Sequence, residues 1–484
     1  LDMQTSDLEQ TIRRILSEEL AKQGTTDAAP AADAAQSEGL GNGIYQTVDE
    51  AVAAAKQAQE IYADKPIAFR KKVIQAIKDG FGPHLKEIAQ AIKDETDMGT
   101  VAAKEAKLKD ALYNTPGVEL LDPEVKTGDG GMTMYEYTPF GVIGVVGPST
   151  NPGETVINNS IMMLSGGNTL FFGAHPGAKN ITRWMIEHLN KYVEKATGMK
   201  NMVVSLDVPS IESVQEMMKH PDIAMLAVTG GPDVVHQALI SGKKAVGAGA
   251  GNPPAMVDQT ANLDLAAHDL VTSCAFDNNI LCTAEKEVVV EASVKDALIE
   301  KMQAAGAFLI TDADQVAALT QMTIQENGTP SRDYIGKDAA VILKAAKIPY
   351  TGDPKVIIFE AAKDQPLVTT EMLMPILPVV SCPDFKSVLQ TAVEVEGGHH
   401  HTASIHSENM PHINQAAHRM NTSIFVANGP TFAATGVGDD GYFTGAAAFT
   451  IATPTGEGTT TTKTFTRRRR FTSPEGFSLR NWEA

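Results

Sequence analysis

A chain of 484 residues is too long for one ordinary domain and has room for two or three. Hydrophobic residues make up 43% and charged residues 20%, which fits a globular protein with sizeable cores and excludes disorder of the whole chain. Its 59 acidic residues outnumber 40 basic ones for a net charge of −19, and the one dense basic run is Arg467 to Arg470, so no nucleic-acid partner is expected.

The first twenty-two residues read as a short amphipathic helix. Leu8, Ile12, Ile15, Leu16 and Leu20 fall on one helical face, and Ser6 with Glu9 has the form of a capping box. Asp2, Asp7, Glu9, Glu18 and Glu19 are out of place in a secretory signal. Residues 23–39 (QGTTDAAPAADAAQSEG) hold nothing larger than Gln and no aliphatic beyond Ala, and read as a flexible linker. From Tyr45 to about Leu120 the pattern is helical. Strand-like runs then alternate with helices: Phe140–Gly147, Asn168–Ala174, Val203–Asp207 and Ile223–Val228. That spacing argues for a parallel sheet with covering helices. A second α/β stretch runs from about Pro254 to Phe425, and the Thr-rich end (ATPTGEGTTTTKTFTRRRRF) reads as an extended arm. No apolar run approaches the ~18 residues of a spanning helix, so no membrane is expected.

Three cysteines cannot build a disulfide framework, which points to a reducing cytoplasm. Cys274 lies on the apolar face of a helix over Asn262–Ala275, and Cys382 ends the apolar run ILPVVSC. Both belong to cores. Cys282 sits in a polar loop between that helix and a strand at Lys286–Val290, where reactive side chains are usually held. Thr229-Gly230-Gly231 follows a strand and opens a helix, an arrangement that turns free backbone N–H groups toward a phosphate. The histidines of GGHHHTASIH invite a metal, but consecutive strand residues point to opposite faces and no ligand spacing completes a site. No metal is expected.

FGVIGVVGPSTNP, GGNTLFF, AVTGGPDVV, GAGAGNPPAMV, NNILCTAEKEVVV and EMLMPILPVV follow one another in the chain. Over roughly Gly43 to Phe471 this series resembles the aldehyde dehydrogenase superfamily. It is most similar to the CoA-acylating propionaldehyde and acetaldehyde dehydrogenases of bacterial microcompartments, through the NNxLC segment and the late FTIATPTGEG segment. The resemblance implies an α/β architecture in three parts. A Rossmann-like NAD-binding domain covers 40–122 and 141–246, a catalytic domain covers 247–438, and a β arm for oligomerisation covers 123–140 and 458–484. It also implies a homodimer or homotetramer.

The resemblance carries a mechanism with it. The Cys282 thiolate attacks an aldehyde, hydride leaves for NAD, and a thioester stays on Cys282. The backbone N–H of Cys282 and one further donor would hold the oxyanion. Hydrolysing relatives take that donor from the Asn of a P-W-N-F-P segment; here Thr150 stands at the Asn position and Asn151 beside it. Those relatives also carry a water-activating glutamate in the segment matching Ala245–Asn252, whereas AVGAGAGN has no base. The thioester should therefore wait for the thiol of coenzyme A. Cofactor contacts are expected at Pro148, Thr229, Gly230, Gly231, His175 and Pro176. Glu371 matches the glutamate that holds the nicotinamide ribose. Gly173 and Pro176 replace the Lys and Glu that grip the adenosine ribose in many relatives, and NAD is the expected cofactor. The implied reaction converts a short aldehyde, propionaldehyde or acetaldehyde, to acyl-CoA in a microcompartment lumen, with residues 3–20 docking on a shell protein. A hydrolysing enzyme giving a free acid and a catalytically silent scaffold are the alternatives.

Overall fold

The computed structural model of the protein describes residues 41–437 and 446–474. The helix expected over residues 3–20 and the linker after it lie outside them.

Two parallel sheets organise the chain. In the first, six strands lie in the order Ile44–Tyr45, Val203–Leu206, Thr169–Gly173, Val142–Val146, Ile223–Thr229 and Lys244–Ala248. Its central strands are apolar on both faces, as a parallel sheet covered by helices requires. Ile143, Val145, Leu170 and Phe172 meet Ile77, Phe81, Ile157 and Met185 on one side. Val142 and Phe171 meet Val48, Val52 and Met217 on the other. After the edge strand Ile44–Tyr45, the chain enters the sheet centre at Val142–Val146, builds outward to Val203–Leu206, then crosses back to Ile223–Thr229. A crevice therefore opens at the C-terminal ends of Val142–Val146 and Ile223–Thr229, the usual ligand position in such sheets.

The second sheet has seven parallel strands in the order Ala307–Leu309, Val356–Glu360, Ile376–Cys382, Glu287–Glu291, Pro254–Val257, Thr402–His406 and Ile424–Ala427. Here the N-terminal edge matters, because the functional loops enter there. A third, antiparallel sheet pairs Gly131–Pro139 with Glu124–Gly128 on one side and Thr466–Pro474 on the other. The Thr-rich end is not one continuous strand as its composition suggests. Gly456 and Gly458 take left-handed φ of 88° and 65°, and Thr461 and Thr464 bond each other's backbones. These turns fold residues 453–465 back on the body before the arm strand begins.

One buried side chain ties the first sheet to that returning tail. The Asn168 carboxamide accepts from Phe140 N (2.7 Å) and Gly141 N (3.2 Å), and donates to Met163 O (3.0 Å) and Phe465 O (2.9 Å). All four of its hydrogen-bonding positions are used, the condition under which a buried amide stabilises. The helix Pro152–Ser165 is buried all round, and its Asn158 is satisfied through Thr115 Oγ1 (2.9 Å) and the backbone of Ala447 and Phe449 (3.0 and 3.2 Å).

Candidate active site

The helix Leu263–Ala275 starts one residue later than its pattern suggests, because Asn262 caps it by accepting from Leu265 N at 3.2 Å. Beyond its C-terminus the backbone is strained. Asp277, Asn278 and Asn279 are three successive non-glycine residues with left-handed φ of 49°, 55° and 64°. Such a run carries about 1–2 kcal/mol per residue, least for Asn and Asp, and persists only where the surroundings over-determine it. Asp277 accepts from Thr100 N (2.8 Å) and forms ion pairs with Lys107 (2.6 Å) and Lys104 (3.4 Å). Asn278 donates to Gly336 O (2.9 Å) and Asp338 Oδ1 (2.8 Å). Asn279 donates to Glu285 O (3.0 Å), and Lys286 Nζ draws in Asn279 O (3.1 Å) and Leu281 O (3.0 Å). The bends of this rigid staple end at Cys282.

Cys282 is half-buried, whereas Cys274 and Cys382 are buried. Burial pushes the Cys282 thiol up to about 12 and the Glu371 carboxylate raises it further, against Lys286, the Cys282 backbone N–H and Lys107, which lower it. In the free protein the thiol is protonated.

Four adjacent strands of the second sheet deliver the rest. In spatial order Ile376–Cys382, Glu287–Glu291, Pro254–Val257 and Thr402–His406 are preceded by Glu371, Cys282, Gly251 and His401 respectively. Gly251 is the junction. Its N–H donates to Glu371 Oε1 at 3.1 Å. A Cβ there would stand 2.7 Å from the His401 ring and 3.1 Å from Cys282 O, so no side chain fits. Glu371 is half-buried, its carboxyl pushed up to about 7 by burial and restrained by Lys286 and the Gly251 N–H.

His401 is not legible as a site residue in the sequence. The expectation that the histidine triplet alternates along a strand is corrected: His399 to His401 precede the strand Thr402–His406, and His400 has a left-handed φ of 55°. His401 is buried, its Nδ1 lies 2.9 Å from Thr402 Oγ1, and its Nε2 has no hydrogen-bond partner among the described residues. Burial, with Lys286 adding to it, depresses the imidazole to about 3, so it is neutral and able to accept a hydrogen bond. The only sequence signal is its position directly before a strand of the same sheet as Cys282. Among the described residues, no three His, Cys, Asp or Glu side chains gather as metal ligands.

Thr150 and Asn151 come from the first sheet, in the loop after Val142–Val146. Asn151 precedes the helix Pro152–Ser165, its Oδ1 accepts from Lys107 Nζ, and its Nδ2 makes a long 3.5 Å contact to Thr150 Oγ1. Pro148, Thr229, Gly230 and Gly231 line the crevice between Val142–Val146 and Ile223–Thr229, and His175 and Pro176 lie exposed past the end of Thr169–Gly173. Gly231 begins the helix Pro232–Ile240 with no side-chain cap, which leaves first-turn N–H groups for an anion. This edge fits a dinucleotide.

A sequence profile of the aldehyde dehydrogenase family matches residues 22–446. The propanal dehydrogenase (CoA-propanoylating) of Citrobacter freundii is 46% identical over 479 residues, covering 99% of this chain and 100% of the relative. The chain belongs to the aldehyde dehydrogenase family. Among solved members, the Rhodopseudomonas palustris propionaldehyde dehydrogenase with bound CoA and an acylated cysteine superposes with a TM-score of 0.88 at 39% identity, over 91% of this chain and all of that one. A propionaldehyde dehydrogenase from the Clostridium phytofermentans fucose utilisation microcompartment gives 0.87 at 39%, over 90% of this chain and all of that one.

In this family member the base-free stretch Ala245–Asn252 is closed over by the tail. Gly247 N donates to Thr455 Oγ1 at 3.1 Å, and Pro454 packs close on Gly249. The Glu371 charge disfavours the Cys282 thiolate, so Glu371→Gln lowers the thiol's pKa and raises the thiolate fraction at any fixed pH below it. Alkylation of Cys282 by iodoacetamide at pH 8 should be several-fold faster in Glu371→Gln; an unchanged rate would separate the two groups.

Proposed function

We propose that this aldehyde dehydrogenase oxidises a short aldehyde, propionaldehyde or acetaldehyde, to its CoA thioester with NAD as acceptor. The observation that carries this reading is the pairing of a preorganised Cys282 with a stretch, Ala245–Asn252, that offers no base for water. The 46% identity to a CoA-propanoylating enzyme over the full chain supports it.

Cys282 gives up its thiol proton to solvent, and the thiolate Sγ attacks the aldehyde carbon. The oxyanion so formed is held by the Cys282 backbone N–H and a donor from the Thr150–Asn151 loop. Bound in the crevice of Pro148, Thr229, Gly230 and Gly231, NAD supplies the two-electron acceptor. His175 and Pro176 would hold its adenosine end, and Glu371 its nicotinamide ribose. Cys282 is left as a thioester, and the stretch Ala245–Asn252 supplies no base for water. As the CoA sulfur displaces Cys282, His401, neutral and with Nε2 unpartnered among the described residues, relays the thiol proton to the departing Cys282 thiolate. NADH release with and without CoA tests the assignment.

The lobe with the six-stranded sheet (40–122 and 141–246) serves as the cofactor domain, 247–438 as the catalytic domain, and segments 123–140 and 458–484 as an arm joining copies into a dimer or tetramer. Residues 3–20 would dock their apolar face on a microcompartment shell protein and place the enzyme in the lumen; a helix this short needs a partner to become ordered. Deleting residues 1–39 should leave specific activity near normal and disperse a shell-localised enzyme through the cytoplasm. Full-yield co-purification of the truncated enzyme with intact shells would contradict the targeting role.

A further inference from the structure

Lys107 is buried without exposure on the helix Val101–Tyr113, and its ammonium is shared by three groups from different parts of the chain. It donates to Asn151 Oδ1, lies 3.1 Å from Glu154 Oε1 and lies 2.6 Å from Asp277 Oδ2. Lys104 joins Asp277 at 3.4 Å, so two cations and two carboxylates form a closed group with no exposed side chain. Its carboxylates keep Lys107 charged in spite of burial. Removing one partner of such a group strands a charge, which is why chains seldom bury one without a use.

An ammonium has only hydrogens to offer. The Asn151 amide must therefore turn its oxygen to Lys107 and its NH₂ away, toward Thr150 Oγ1, where the 3.5 Å contact leaves donor capacity unspent. The same ammonium grips Asp277, the first of the three left-handed residues that set the course of the chain into Cys282. Lys107 thus fixes the orientation of a donor from the first sheet, while Asp277 also has Lys104 and the Thr100 N–H to hold the nucleophile loop.

We infer that Lys107 is a positioning residue for acylation: by orienting the Asn151 amide it makes Asn151, rather than Thr150, the side-chain donor to the oxyanion formed on Cys282. This rests on the reading of Cys282 as nucleophile. Thr150 shares the loop, but no buried cation fixes its hydroxyl rotor.

The test uses the full-length enzyme in a Glu154→Gln background, so that losing the Lys107 charge does not strand a carboxylate. The rate of the first NADH turnover, without CoA, is measured for K107M/E154Q, N151A/E154Q and the triple variant K107M/N151A/E154Q. Loss of one oxyanion donor slows such a step by about 10²–10³-fold, and loss of its orientation should slow it by roughly 10–100-fold. The KM for NAD should be unchanged, and K107R should recover part of the rate. The triple variant should be no slower than N151A/E154Q, because Lys107 acts through that amide. A folded K107M/E154Q with the control rate overturns the inference, as do independent, multiplying losses in the triple variant. An unchanged rate in N151A/E154Q removes Asn151 as the donor without touching the cysteine reading, which only an active Cys282→Ala would remove. If K107M/E154Q does not fold, K107Q/E154Q keeps a polar partner for Asp277 without the forced orientation. The control rate in that variant overturns the inference equally.

Discussion

Cys282→Ala should abolish acyl-CoA formation, with a loss on the order of 10⁴-fold or more, while Cys274→Ala and Cys382→Ala keep near-normal turnover. Position in the fold separates the three. Cys274 is sealed in its helix with its thiol pushed up to about 12 by burial, and Cys382 closes a strand against Thr391 Oγ1 at 3.5 Å. Neither is half-open like Cys282, and neither is reached by the Glu371 and Lys107 charges that act there. Alanine at Cys274 opens a small cavity and should appear as a lower melting temperature at undiminished kcat. Near-normal turnover by Cys282→Ala would remove the mechanism altogether. Product is followed by acyl-CoA quantification, so that nonspecific NADH formation does not mask the loss.

The second large effect concerns what happens after hydride has left. Enzyme acylated at Cys282 with aldehyde and NAD but no CoA should hold its acyl group, visible as an adduct mass on the intact chain over many minutes. Added CoA should clear it at once. His401→Ala should keep the first NADH turnover and slow clearance by CoA by about 10²–10⁴-fold, the usual contribution of a positioned base. The imidazole is held near 3 in the free protein. Clearance in the parent enzyme should therefore not show the inflection near pH 6.5 of an ordinary histidine. Prompt release of free acid without CoA would mean that a water-activating base exists.

The parallel sheets are legible because their strands are short apolar runs at regular spacing between helical patterns. Cys282 stands out for a related reason: it alone among the cysteines occupies a polar loop. Convergence is hidden. Gly251, Cys282, Glu371 and His401 are far apart in the chain, and only the strand order of the second sheet lines up the loops that carry them. Glu371 looks as fit for a surface as for a ribose because nothing near it in the chain marks the Gly251 N–H that its carboxyl meets. His401 escapes notice because a run of histidines looks alike in sequence, whereas the fold turns His400 outward through a left-handed backbone and buries the next ring. The buried Lys104–Lys107 pair reads as an ordinary solvated helix face. Lysines on an amphipathic helix carry no mark of the Asp277 and Glu154 carboxylates that meet them from elsewhere.

The central claim, that this enzyme passes its acyl group to CoA and not to water, is met most directly by counting NADH per active site. Enzyme mixed with propionaldehyde and NAD alone should release close to one NADH per Cys282 and then stop. CoA added to the same cuvette should start continuous turnover, with one acyl-CoA formed per NADH. Sustained NADH production with equimolar free acid before any CoA is added would contradict the account.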